Sequence, residues 1–327
     1  MTSQWGLTVP LAGVPLPEHA GLLQALPDLG FTDVWSSEVA GTDAFTPLAL
    51  ASVWSPRLRL GTAIVPVFTR GPALIAMQAA TLAEAAPGRV ALGIGASSPV
   101  VVGDWNAVPF DRPFERSRDV LRFLRTALAG EVVDGAFDTF HVKRFRLERP
   151  PGVPPKLLLA ALRAKMLRLA AAEADGAVLN WLSVEDVATV RRELAGAPEG
   201  FEVAARIFVC PTQDEAAARE TARRLIAAYL TVPAYAAFHR WLGRGEVLKA
   251  MWDAWAARDR KAALAAIPDE VVDALIVHGS PQRCREHVQR YADAGVTTPV
   301  MALLPTPELT AGGPEVLLDT LRALGAR

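Results

Sequence analysis

The chain has 327 residues, 51% of them hydrophobic, and a net charge of −1, so it can build a large core and offers no electrostatic case for nucleic acid or an anionic membrane surface. No uncharged apolar run approaches the roughly 18 residues of a membrane span. The opening MTSQWGLTVPL has no basic segment before its apolar run, and the two cysteines fit no disulfide framework, which together predict a cytoplasmic protein.

Apolar strand-like runs recur along the chain at 6–11, 33–38, 58–67, 90–97, 156–162, 176–182, 202–210 and 298–304. Helical segments separate them. Eight alternating units in one domain spanning 1–327 predict a (β/α)8 TIM barrel. A doubly wound sheet is the alternative, but no early G-x-G-x-x-G supports a dinucleotide version of it. Helix starts are expected at Thr46-Pro47 and Ser280-Pro281, each with Pro in the first turn. Thr212 with Glu215 reads as a further cap, and Ser183 with Asp186 as a capping box. Residues 130–155 alternate and end in a Pro-rich turn, which predicts a hairpin before the fifth strand. Residues 232–275 carry Trp241, Trp252 and Trp255 and predict a helical insertion between the seventh and eighth strands.

The densest signal lies at 58–98, where two apolar runs bracket an amphipathic segment from Pro72 to Ala86. Both strands read as buried on both faces, as in a parallel sheet. Both carry small residues at their ends: Gly61, Thr62 and Ala63 in one, Gly95, Ala96, Ser97 and Ser98 in the other. Small residues there leave room for a flat ligand and expose backbone N–H groups. Gly/Ser-rich turns also arise for steric reasons alone, and spacing does not separate the two readings.

Barrel enzymes work at the carboxyl ends of their strands. This sequence supplies Glu38 after strand 2, Ala63-Ile64 and Thr69-Arg70-Gly71 after strand 3, and Asp104-Trp105-Asn106 beyond strand 4. It supplies Ala161 and Leu162-Arg163-Ala164-Lys165 at strand 5, and Asn180-Trp181 at strand 6. The lining is mostly apolar, which suits a planar ring system better than a sugar phosphate. The five histidines show no H-x-H or H-E-x-x-H spacing, so no metal site is expected.

"GTAIVPVFTRGP" followed by "GRVALGIGASS" resembles the bacterial luciferase-like superfamily, and most closely its branch dependent on the deazaflavin coenzyme F420. The resemblance continues at "GFTDVWSSE" (30–38), "PPKLLLAALRAKMLRLAAAEADGAVLN" (154–180) and "GSPQRCREHVQRYADAGVTTPVMAL" (279–303). It implies that a flavin-like ring rests on a strand-3 bulge containing a cis peptide at Ala63-Ile64. It implies that the phosphate arm meets Gly95 to Ser98 and the stretch from Ala161 through Leu162, Arg163 and Ala164 to Lys165, where a helix N-terminus is a ready anion site. Asp104, Asn106 and Trp181 become substrate-side candidates.

Two departures bear on the chemistry. Leu162-Arg163-Ala164 stands where relatives have Gly-Gly-Pro or Leu-Gly-Pro. Glu38 is followed by Val39 instead of His, and Ser98 replaces a Glu found in some members. Glu38 is therefore the catalytic expectation, as a carboxyl beside apolar walls that can act as an acid. A plain ion pair with a nearby Arg is the competing reading. The resemblance implies hydride transfer between F420 and a small organic substrate by a homodimer. A reduced-FMN monooxygenase on the same barrel, or a flavin- or deazaflavin-binding protein without turnover, are the alternatives.

Overall fold

The apolar runs pair in chain order. In a computed structural model, which describes residues 4–326, eight parallel strands close a barrel. They are β1 (Gly6–Thr8), β2 (Asp33–Ser36), β3 (Arg59–Thr62), β4 (Val90–Gly95), β5 (Lys156–Ala160), β6 (Gly176–Asn180), β7 (Glu202–Cys210) and β8 (Thr298–Leu303). Closure comes from β8, which pairs with β1 through Gly6 and Val300 and with β7 through Ala204 and Thr298. β7 in turn pairs with β6 through Glu202 and Gly176. Helices run between the strands on the outside, as the βα alternation requires.

Side chains alternate in and out along each strand, and the inward ones stack in tiers. At the amino end, Arg59 binds Asp33 through Nε and both oxygens of Glu202, with Arg59 Nη1 donating to Glu202 Oε2 at 2.8 Å. Thr298 Oγ1 donates to Glu202 Oε1 at 2.8 Å, and Arg59 Nη2 donates to Gln4 Oε1 at 2.9 Å. Above this lies an apolar waist of Trp35, Ala91, Leu158, Val178, Ala204 and Val300. Trp35 is fully buried there, and Gly61 makes room for it: a Cβ at position 61 would sit 2.3 Å from the indole.

Both expected insertions are present. Val133–Ala136 and His141–Phe145 form an antiparallel hairpin, anchored where Phe137, Phe140 and Phe145 surround Phe123. The second insertion holds the helices Pro233–Trp241, Lys249–Ala256, Arg260–Ala265 and Asp269–Leu275. With helix Glu215–Leu230 it builds an apolar core of its own against Trp181, Phe208, Cys210, Ala302 and Leu304. Trp252 and Trp255 serve that packing, with Trp252 Nε1 donating to Leu230 O at 2.9 Å and Arg260 3.6 Å over the Trp255 ring, whereas Trp241 packs on the main barrel core. An additional short strand, Ile276–His278, lines up beside Phe208–Cys210. Three residues directly after a helix leave no periodic signal in the sequence.

The caps divide. Ser280 accepts from the Arg283 N–H at 3.3 Å, and Ser183 and Asp186 bond reciprocally, as expected. Thr46 and Thr212 are not the capping acceptors. Asp43 takes the Phe45 and Thr46 N–H groups at 2.8 and 2.9 Å, and Asp214 takes that of Ala217 at 3.0 Å. In both places a nearby aspartate, whose carboxylate is the stronger acceptor, displaces the threonine. Among the described residues no helix is long and apolar enough to cross a membrane.

Candidate active site at the carboxyl ends of the strands

Strand β3 breaks from its neighbour after Gly61 and resumes pairing at Val65–Pro66, opposite Ile94 and Gly95. The peptide between Ala63 and Ile64 in this bulge is cis. Thr62 fills the broken ladder, its Oγ1 donating to Gly93 O and accepting from Gly93 N–H, both at 2.8 Å. Two glycines on β4 permit the bulge. A Cβ at Gly93 would lie 2.1 Å from Thr62 O, and one at Gly95 would lie 2.7 Å from the Ala160 Cβ and 3.3 Å from Ile64. The sequence thus builds an apolar platform of half-buried Ala63, Ile64 and Ala160 beside the buried Gly95.

The rim beside this platform is polar backbone. Ser97 has a left-handed backbone with φ 65°, and Ser98 Oγ accepts from the Val101 N–H at 3.3 Å, capping the π-helical turn Val100–Trp105. Ala161 is buried and its N–H donates to Val178 O at 3.1 Å, whereas Leu162 is half-buried. Helix Ala164–Glu173 begins at Arg163 without a side-chain cap. The Met166 N–H donates to Arg163 O at 3.0 Å, and the helix start lies beside Arg163 and Lys165, which make no salt bridge among the described residues. Lys165 Nζ lies 3.8 Å over the Phe114 ring.

Glu38 sits beside the same mouth but is fully engaged. Arg70 Nη2 donates to its Oε2 at 2.6 Å and Nε to its Oε1 at 3.3 Å, and the Ala44 N–H reaches Oε2 at 3.1 Å. Arg70 is thereby committed too, with Nη1 on Gln78 Oε1 at 3.2 Å. The substrate-side candidates scatter. Asp104 is exposed on the π-helical turn, and Asn106 spends its Nδ2 on Val101 O at 2.7 Å. Trp181 is 1% exposed and wedged between Phe208 and Tyr229, with ring centroids 4.4 and 5.0 Å away. Its indole belongs to the insertion's core and is not offered to open space.

Sequence reasoning stopped at strand ends and so named Asn180 after β6 but passed over Arg206 inside β7. Arg206 points inward by the alternation that aims Glu202 and Ala204 inward. It forms no salt bridge among the described residues, its Nε is buried without a hydrogen bond, and its guanidinium stacks 4.8 Å from the Phe208 ring. Its register neighbour Asn180 donates to the Tyr235 hydroxyl at 3.0 Å while its own Oδ1 is buried without a partner. Burial pushes the Tyr235 hydroxyl up to about 12, so it keeps its proton at neutral pH. The available signal was a lone cation in the apolar run EVAARIFVC.

The family of luciferase-like monooxygenases matches residues 3–298. Rv3520c of Mycobacterium tuberculosis, named as a coenzyme F420-dependent oxidoreductase, is 29% identical over 93% of this chain and 94% of its own. The coenzyme F420 dependent tetrahydromethanopterin reductase from Methanopyrus kandleri superposes with a TM-score of 0.77 at 19% identity, covering 99% of this chain and 98% of that one. The oxygenating constituent of 3,6-diketocamphane monooxygenase from Pseudomonas putida, in complex with FMN, gives 0.65 at 16% identity over 99% and 97%.

Proposed function

The chain belongs to the luciferase-like monooxygenase family, and from that premise we propose that it is an oxidoreductase passing hydride between coenzyme F420 and a small organic substrate. The observation that carries this reading is the pairing of an apolar platform with an uncapped, cationic rim. The glycine-cleared surface of Ala63, Ile64 and Gly95 suits one face of a fused ring. Beside it, the uncapped N-terminus of helix Ala164–Glu173, flanked by Arg163 and Lys165, suits a phosphate and an acidic tail. F420, when bound, supplies the hydride chemistry.

The protein's own residues then have distinct duties. Ala63 and Ile64 support the ring, and Gly95 adds no side chain to the platform. Ser97 and Ser98 bound the platform, and Ala161 with Leu162 carries the chain to the rim. Arg163, Ala164 and Lys165 offer N–H groups and positive charge to the anionic arm. Glu38 enters as the residue that fixes Arg70 and the Ala44 loop, its two oxygens accepting three hydrogen bonds from them.

Equilibrium titration of the purified protein with F420 and with FMN, followed by cofactor fluorescence, tests the reading. F420 is expected to bind at least about tenfold more tightly, a gap of about 1.4 kcal/mol. Tighter binding of FMN would replace the hydride-transfer reading with a reduced-FMN monooxygenase.

A further inference from the structure

Starting at Glu202, the strand ladder runs through Gly176, Leu158 and Gly93, then by continuation of the paired registers through Ala63, Ser37, Pro10 and Leu304. It returns to β7 at Cys210, a climb of 210 − 202 = 8 residues, or one per strand. Corrected for that climb, Thr8, Ala63, Ala160 and Arg206 share one tier, contributed by alternate strands. In a filled barrel such a tier holds bulky branched residues. Here three of the four are small, and all four stay half-buried although they point into the barrel. Three small side chains fill this tier thinly, and Arg206 points into it.

The polar atoms around that tier lack partners. Arg206 Nε, Asn180 Oδ1 and Thr8 Oγ1 are all buried without a hydrogen bond. A buried polar group left unpaired costs free energy, and a guanidinium with no carboxylate beside it costs more. Three such atoms, two on the adjacent strands β6 and β7 and one on β1, face one thinly filled tier and suit the polar groups of a ligand. Arg206 supplies a planar fork of donors suited to a carboxylate. Asn180 Oδ1 and Thr8 Oγ1 are acceptors suited to a hydroxyl on the same ligand.

We propose that Arg206, with Asn180 and Thr8, anchors the substrate, and that the substrate is a small organic acid carrying a hydroxyl group. The proposal rests on the reading that the cofactor ring lies over β3 to β5. Arg206 stands on β7, across the barrel, and the anionic arm has its own cations at Arg163 and Lys165. The anion that Arg206 takes therefore belongs to the other reactant. The insertion helps to shape this side: Tyr235 holds Asn180, and Phe208 backs the guanidinium.

The test uses lactate, 2-hydroxybutyrate and mandelate, each against its amide, titrated calorimetrically into the protein with and without F420. The acid of at least one pair should bind at least about tenfold more tightly than its amide, the worth of a charge-assisted hydrogen bond. R206Q should abolish that preference and R206K should retain part of it. R206Q should also melt no lower than the parent and bind F420 within about threefold of it. Absence of the preference in the parent protein, including absence of any binding, overturns the proposal. So does its survival in R206Q, or a tenfold loss of F420 affinity in R206Q, which would assign Arg206 to the cofactor. Failure of F420 to bind, with the acid preference intact in the cofactor-free protein, would overturn the F420 reading alone.

Discussion

Two arginines point into the same barrel, one near each end. Arg59 is surrounded: Asp33, Glu202 and Gln4 take its donors, and Thr298 completes the network. Burial works against its charge, but the carboxylates of Glu202 and Asp33 outweigh it and hold its pKa above the ordinary value. Burial also raises Glu202, yet the same arginine wins and holds that carboxyl below its usual range. Arg206, at the other end, has an aromatic ring and an unpaired Nε. A saturated network is a structural plug; the unsaturated one at Arg206 is the observation on which the substrate proposal rests. This matches the division of labour in such barrels, with stability at the amino face and chemistry at the carboxyl face. The concavity lined by Thr32, Asp33, Arg57 and Arg89 on the amino face opens onto the plug.

The sharpest way to break that contrast is the same substitution at both heights. R59Q should cost about 3–5 kcal/mol in denaturant unfolding, because Asp33, 1% exposed, loses its cation and Glu202, 3% exposed, keeps only Lys156 at 3.7 Å. R206Q should cost nothing. Equal losses would mean that Arg206 is structural. Acid should expose a second cost on the mouth side. Burial, aided by the charge of Arg244, pushes the His239 imidazole down to about 3. Its folded pKa lies below the unfolded value of about 6.5, so its contribution is whole above pH 6.5 and is lost as pH falls toward 3. The loss runs at up to about 1.4 kcal/mol per pH unit, or about 2 kcal/mol by pH 5. H239L should flatten that part of the stability profile, and an unchanged profile would acquit His239.

Smaller effects separate pairing from catalysis. E38Q removes a two-point ion pair whose partners are each 17% exposed, and should lower stability by about 1–2 kcal/mol. Turnover per folded molecule should stay within tenfold. A loss of 10²-fold or more at unchanged melting temperature would restore Glu38 as the proton-handling group. R163E should weaken F420 binding by about tenfold at low salt, with the deficit shrinking at high salt. An affinity indifferent to this charge reversal would remove the rim from the binding site.

Most of the barrel was legible in the sequence because periodicity and end chemistry agree. The eight runs, the hairpin and the helical insertion each carry a pattern several residues long. The bulge was legible only through resemblance, since nothing in GTAIVPVF distinguishes it from a plain strand end. Glu38 was ambiguous for a different reason: its partner Arg70 lies 32 residues on, and only the turn after β3 brings them together. Arg206 was missed although its alternation with Glu202 and Ala204 was readable. Neutral or charged, an inward residue is a ligand contact only if its tier is thinly filled, and that filling depends on Thr8, Ala63 and Ala160 from three other strands.

The insertion keeps a largely separate core. Most of the helices between Glu215 and Leu275 bury their apolar faces against one another and against a few residues on β6 to β8, with helix Pro233–Trp241 also packing on the main barrel core through Phe238, while Ala63 and Ile64 of the platform pack on the barrel waist. One chain thus separates two tasks: barrel packing holds the β3 to β5 platform in place, and substitutions in the insertion alter the opposite wall, facing Arg206, with less consequence for it.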